Sequence, residues 1–97
     1  MRSVQDTMPS SKITLVDEAV IECRIRGIHK LLCNQKYNKM KKVINESIRT
    51  FQNAEEITCD RSLLSKIINI LYICLIDIAM NRHERIHNHI CKVVYIS

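Results

Sequence analysis

The chain contains one glycine, Gly27, and one proline, Pro9, among its 97 residues. All-β folds depend on these two residue types at their turns, whereas helix interiors disfavour both. Their scarcity therefore predicts an all-α fold. A chain of this length can bury one small core, since it hides only about 60–70% of its unfolded surface. Apolar residues make up 46% and charged residues 26%, which is the balance of a soluble globular protein.

The segment before the first apolar repeat is polar and contains Pro9. We predict a flexible N-terminal arm over residues 1–12 and a single helical domain over residues 13–97. The arm lacks the uninterrupted apolar run of a secretory signal, so we expect a cytoplasmic or nuclear protein whose five cysteines are reduced. Cys23 and Cys33 have the spacing of paired-helix disulfide proteins. The second cysteine pair that such proteins require is missing.

Hydrophobic periodicity predicts three helices. The first begins near Thr14, where Thr14 and Asp17 form a variant of the capping box. It carries Gly27 on an apolar face, at a cost of about 1 kcal/mol relative to alanine, and we expect this glycine to let another helix approach closely. The second helix, about Gln35 to Ala54, is amphipathic. Its predicted inner face consists of Tyr37, Met40, Ile44, Ile48 and Phe51.

The most apolar stretch is SLLSKIINILYICLIDIAM, residues 62–80. Asp60 or Thr58 can cap a helix that starts directly afterwards and continues through the histidine-rich tail. A transmembrane helix needs about 20 apolar residues, whereas this stretch includes Lys66 and Asp77, which are costly within a bilayer. We therefore predict the long, strongly apolar and buried third helix of a small three-helix bundle. Membrane association is the less favoured alternative.

The third helix has an unusually wide apolar side. At about 100° per residue, its apolar residues cover an arc of roughly 200°. Two neighbouring helices cannot easily cover this arc together with the broad apolar surface of the first helix. Soluble monomers rarely expose large apolar patches, so we expect a homodimer or another protein partner. The predicted protein interface comprises Ile67, Ile68, Leu71, Tyr72, Leu75, Ile78 and Ala79. A narrow polar seam contains Ser62, Lys66, Asn69, Asp77 and Glu84.

Basic residues concentrate in the first two helices. Between Arg24 and Arg49 there are eight basic residues and one acid, Glu46. Such a run is often no more than a solvated helix face, but clustered lysine and arginine also bind phosphates by releasing counterions. No zinc finger, RNA-binding sheet motif or aromatic platform accompanies the run, so sequence-specific readout has no support. The candidate nucleic-acid-binding residues are Arg24, Arg26, Lys30, Lys36, Lys39, Lys42 and Arg49.

The tail, RHERIHNHICKVVYIS, contains the candidate metal ligands. On a continuous helix, His83, His87 and Cys91 would recur every four residues, but three such ligands span about 12 Å, too far for one tetrahedral ion. Only His83 and His87 could share a metal, with further ligands from elsewhere. We therefore expect no metal and no other cofactor. No serine, cysteine or carboxylate motif supports catalysis, so we expect neither an enzyme nor a small-molecule substrate.

These features favour a non-enzymatic helical protein-interaction module that acts through an apolar helix surface, by self-association or on another protein. The alternative is sequence-independent binding of duplex RNA or DNA through a basic helical face, with a dimer aligning two such faces.

Overall fold

The computed structural model describes the backbone of residues 14–96 and the side chains of residues 14–93, so the predicted arm over residues 1–12 lies outside the described residues. The described chain is predominantly helical, which confirms the all-α fold class. The elements, in chain order, are β1 (Leu15–Val16), α1 (Glu18–Cys33), α2 (Tyr37–Gln52), β2 (Glu56–Ile57), α3 (Arg61–Ala79) and α4 (His83–Ile96).

The prediction of three helices was wrong, because the third helix stops at Ala79 and a separate helix, α4, carries the histidine-rich tail. Asn81 adopts the left-handed conformation, with φ 56°. Around it the Arg82 N–H donates to the Asp77 carbonyl at 2.8 Å, and the Asn81 N–H donates to the Ile78 carbonyl at 3.1 Å. These two hydrogen bonds form a Schellman motif, which satisfies the last carbonyls of a helix and ends it.

The same motif ends α1. Gln35 has φ 57°, and its N–H donates to the Leu32 carbonyl at 3.0 Å, while the Lys36 N–H donates to the Leu31 carbonyl at 2.9 Å. A left-handed Gln35 cannot lie within a helix, so α2 begins at Tyr37 rather than at Gln35 as predicted. The two turns use glutamine and asparagine where glycine is the commoner residue.

The start of α1 also differs from the prediction of a capping box at Thr14. The N-cap is Asp17, whose Oδ1 accepts a hydrogen bond from the Val20 N–H at 2.8 Å. Thr14 instead lies beside the α2–α3 connection, where its carbonyl accepts from the N–H groups of Glu55 and Glu56 at 3.0 and 3.1 Å. This contact continues into the parallel pairing of β1 with β2. The predicted cap of α3 is confirmed, since the Asp60 side chain accepts a hydrogen bond from the Ser62 N–H at 2.9 Å.

One apolar core joins all four helices. Helix α1 packs against α2 and α4, and α3 packs against the same two helices. The predicted inner face of α2 is largely confirmed, because Met40, Ile44, Ile48 and Phe51 are buried, and Tyr37 packs half-buried at their edge. Burial of one such side chain contributes roughly 1.5–3 kcal/mol.

Gly27 does not have the predicted role. It lies in an exposed position of α1, and a Cβ added to it would meet no atom within 4 Å. No helix approaches closely there among the described residues. The spacing that placed Gly27 on an apolar face was misleading, because the buried side of α1 is formed by Ile21, Ile25, Ile28 and Leu32 instead.

Candidate interaction surfaces

An exposed apolar surface covers one side of the C-terminal half of α3. Tyr72 is 44% exposed, Ile73 39%, Ile76 55% and Met80 52%, and Ala79 between them is also exposed. At about 100° per residue, these five residues fall within an arc of roughly 120°. We call them the α3 apolar surface. On the same side, the N-terminal half of α3 is polar, with Ser62, Ser65, Lys66 and Asn69 exposed.

This surface is exposed because α3 has neighbours on only part of its circumference. Helices α2 and α4 pack against it, whereas α1 makes no extensive contact with it in the described chain. The prediction that α3 is a buried helix is therefore wrong on this side. Its N-terminal and central residues Leu64, Ile67 and Leu71 belong to the core.

The predicted interface residues divide into three groups. Ile67 and Leu71 are 0% exposed and lie within the core, where no partner can reach them without unfolding. Ile68, Leu75 and Ile78 are half-buried and pack against that core, while Tyr72 and Ala79 are exposed. The predicted interface lacked two of the most exposed apolar residues of α3, Ile73 and Ile76, and Met80, which directly follows the helix.

The position of Asp77 explains why the exposed side of α3 was predicted incorrectly. The sequence placed Asp77 on the polar seam with Lys66 and Asn69, yet its side chain is only 2% exposed. Its Oδ2 lies 3.2 Å from Nδ1 of the half-buried His89, on α4. The geometry of this contact is poor for a hydrogen bond, and neither atom has another partner among the described residues. Burial of an unpaired carboxylate is costly, and His89, on a separate helix, is the polar side chain that faces Asp77 here.

Cys74 lies near this polar pair. The thiol is fully buried, and burial, followed by the negative charge of Asp77, raises its pKa from 9.0 to about 12. Cysteine, histidine and aspartate together can form a nucleophilic site, but that chemistry requires an accessible thiolate. Cys74 has the opposite properties, so this cluster is part of the core rather than an activated nucleophile.

The predicted nucleic-acid-binding residues lie mostly at the surface. Lys30, Lys36, Lys39, Lys42 and Arg49 are exposed, and within residues 14–93 none has an acidic side chain at salt-bridge distance. Two arginines differ from these. Arg26 pairs with Glu22 at 2.9 Å, and half-buried Arg24 donates to Ser47 Oγ at 3.4 Å, between α1 and α2. We call the five unpaired residues the basic surface.

The histidines and cysteine of the tail contact nearby side chains. His83 stacks on Tyr37 with ring centroids 4.0 Å apart, and His87 Nδ1 lies 3.7 Å from Cys91 Sγ. Within the described part of the chain, no three histidine, cysteine, aspartate or glutamate side chains form a group arranged to hold a metal ion. The thiols of residues 23, 33, 59, 74 and 91 are all free.

Comparison with family models, curated proteins and solved structures found no match. In the described chain, α3 has the length and apolarity to cross a membrane, with a mean hydropathy of 1.8 and 28% of its apolar window buried. The core helix of a soluble protein can have the same length and apolarity.

Proposed function

We propose that this protein is a non-enzymatic interaction module that associates with a second copy of itself through the α3 apolar surface. The observation that supports this proposal is the concentration of Tyr72, Ile73, Ile76 and Met80 on one side of one helix, with each side chain 39–55% exposed. Scattered exposed apolar residues are ordinary on soluble proteins, whereas a contiguous group of large ones is typical of an interface.

The size of this surface sets the expected affinity. Burial of the exposed half of each large side chain contributes about 1 kcal/mol, or roughly 4 kcal/mol per copy and 8 kcal/mol per dimer. Association costs at least about 4 kcal/mol in lost rotational and translational freedom. These side chains alone therefore give a net of about 4 kcal/mol, which corresponds to a dissociation constant of about 1 mM, and contacts at the rim of the interface should lower it into the micromolar range.

The geometry favours α3 over other sites of contact. Tyr72 is fixed at one edge, because its hydroxyl accepts a hydrogen bond from Gln52 Nε2 of α2 at 3.2 Å. An aromatic side chain that is already held in place loses little conformational entropy when a partner covers it. In the N-terminal half of the same side, Lys66 and Asn69 are exposed and would lie at the polar rim of such an interface.

Sedimentation equilibrium over roughly 1–500 µM protein tests the proposal. We expect the wild-type mass to rise towards that of a dimer, and Ile76→Glu to remain monomeric with an unchanged helical circular-dichroism spectrum, because Ile76 lies at the surface. Ser62→Glu places the same charge on the same side of α3, about two helical turns before Asn69 and outside the proposed interface, and should still dimerise. A wild-type protein that stays monomeric throughout this range would contradict self-association.

A lipid bilayer is the other surface that α3 could contact. Flotation with neutral and anionic vesicles distinguishes this outcome from dimerisation. Wild-type protein that floats with vesicles, and Ile76→Glu that does not, would replace the second copy with a membrane as the occupant of the α3 apolar surface.

The basic surface supports a second candidate function, sequence-independent binding of duplex RNA or DNA. The supporting observation is that five lysine and arginine residues are exposed without acidic partners in the described chain. Phosphate contacts of this kind give an affinity that falls steeply between about 50 and 200 mM salt. The protein has no tryptophan, one phenylalanine and three tyrosines, so base stacking would contribute little.

A charge-matched pair of variants tests this function. The double variant Lys39→Glu and Lys42→Glu should lose duplex binding at low salt in a fluorescence-anisotropy titration. Lys66→Glu with Lys92→Glu changes the net charge equally at exposed positions of α3 and α4, and should retain most of the binding. Equal losses in the two double variants would show that only net charge matters, and no binding by the wild type would exclude the function.

A further inference from the structure

The buried pair of Asp77 and His89 joins α3 to α4. Asp77 Oδ2 lies 3.2 Å from His89 Nδ1, and the two side chains are 2% and 21% exposed. Each of these atoms is enclosed and has no hydrogen-bond partner among the described residues. The charge of His89 therefore decides whether a carboxylate inside the protein has an ionic partner.

The surroundings provide no substitute for His89. Within the described residues, this contact is the only one at salt-bridge distance for either side chain. Cys74, about one turn before Asp77, stays neutral at ordinary pH because burial, followed by the charge of Asp77, raises its pKa to about 12. On α4, Arg85 and Lys92 lie about one turn to either side of His89, but both are exposed, so solvent screens their repulsion of a protonated imidazole.

The other titratable rings at α4 contact different partners. From α1, His29 lies against His87 with ring centroids 6.1 Å apart, and from α2, Tyr37 stacks on His83. Neither His83 nor His87 has a carboxylate at salt-bridge distance in the described chain. Among the histidines of α4, His89 is thus the one whose protonation changes the charge of a buried pair.

We propose that the Asp77–His89 pair is a pH-sensitive switch that controls how firmly α4 packs against α3. Imidazole ordinarily changes charge between about pH 5 and pH 8. With a proton on His89, the contact is a buried ion pair between the two helices. Without that proton, a buried carboxylate faces a neutral ring, the attraction between the charges is lost, and the packing of α4 weakens.

The direction of the pH dependence follows from proton linkage. The pair binds its proton more tightly in the folded protein than in the unfolded chain, where water solvates both groups. Its contribution to stability is therefore present at the acidic end of the histidine range and declines as pH rises through that range. One linked proton changes the unfolding equilibrium constant by at most about tenfold per pH unit, and we expect a rise of roughly tenfold from about pH 6 to pH 8.

The switch controls access to a hidden apolar face. Ile86, Ile90 and Val93 of α4 are 0% exposed and belong to the common core. A loosened α4 uncovers these side chains. Raising the pH should therefore expose apolar surface before the rest of the domain unfolds.

Urea unfolding of the reduced protein between about pH 6 and pH 8 tests the switch. Asp77→Asn and His89→Gln should each remove the pair's share of the pH dependence, and the double variant should remove no more, because the two groups act as a unit. His83→Gln, which removes an α4 histidine that stacks on Tyr37, is the matched control and should keep the wild-type dependence. The change with pH is the measured quantity, so variants of lower overall stability remain informative.

Hydrogen exchange of the wild-type protein tests the location of the effect and needs no variant. Protection factors, which correct for the intrinsic pH dependence of exchange, should fall between about pH 6 and pH 8 by several-fold more for α4 amides than for α2 amides. Both experiments are run at low micromolar concentration, where self-association contributes little. The proposal fails if Asp77→Asn keeps the wild-type pH dependence, if His83→Gln reduces it as much as His89→Gln does, or if α4 and α2 lose protection equally.

Discussion

Gly27→Ala should stabilise this protein, because nothing in the structure requires glycine at this position. Gly27 lies in the interior of α1, its φ angle is not positive, and a Cβ there would have no atom within 4 Å. An alanine adds no clash and restricts the unfolded chain, so the gain should approach the full difference in helix propensity, about 0.8–1.0 kcal/mol. For a domain of this size, that corresponds to a rise of roughly 4–8 °C in the midpoint of thermal unfolding.

Thermal unfolding followed by circular dichroism measures this shift, and urea unfolding should give a higher midpoint with an unchanged m-value. Both are best measured at low micromolar concentration, where self-association contributes little. Ala19→Gly provides the reverse change at another exposed position of α1, and should destabilise by less, because Ala19 lies in the first turn. If Gly27→Ala lowers the midpoint, then another helix does approach Gly27 closely and the open position inferred here is wrong.

Three further predictions concern the core. Leu71→Ala should lower the free energy of unfolding in urea by about 2–5 kcal/mol, because Leu71 is fully buried. Ile76→Ala, at a position 55% exposed, should lower it by under about 1 kcal/mol in the monomer. Similar costs at both positions would contradict the assignment of one side of α3 to the core. Cys74 should be the slowest thiol to react in the native protein and Cys33 among the fastest, as measured by mass spectrometry after alkylation. Because the folded-state pKa of Cys74 is raised from 9.0 to about 12, the unfolded chain loses this proton first, and stability should fall as pH rises through that interval. Cys74→Ala should remove up to about 1.4 kcal/mol per pH unit of this slope, and an unchanged slope would mean that the thiol ionises equally in both states.

The parts of the fold that depend on local composition were predictable. Scarce glycine and proline indicated helices, and the inner face of α2 follows directly from its 3.6-residue periodicity. Asp60 was identifiable as a cap because an aspartate just before an apolar run is a local signal. Each of these features depends on residues within a few positions of one another, so tertiary contacts do not alter them.

Two other parts of the fold were not predicted. Asn81 ends α3 in a left-handed conformation, a local stop that was overlooked because asparagine marks it less strongly than glycine or proline does. Asp77 resembled a solvent-facing residue because its partner, His89, lies on the next helix. As a consequence, the predicted interface included Ile67 and Leu71, which are buried, and omitted Ile76, which is exposed.

Dimerisation and nucleic-acid binding should be coupled if both proposed functions hold. Helix α2, which carries Lys39, Lys42 and Arg49, packs directly against α3, so a symmetric contact through Ile76 brings two basic surfaces into one assembly. A second set of phosphate contacts then acts at a high effective concentration and raises the apparent affinity for a long duplex. Ile76→Glu should therefore weaken binding to a long duplex while leaving binding to a duplex too short for two copies unchanged, whereas the Lys39 and Lys42 double variant should weaken both. Equal losses on long and short duplexes would show that the charge introduced at Ile76 acts locally, and that α3 itself contacts the nucleic acid.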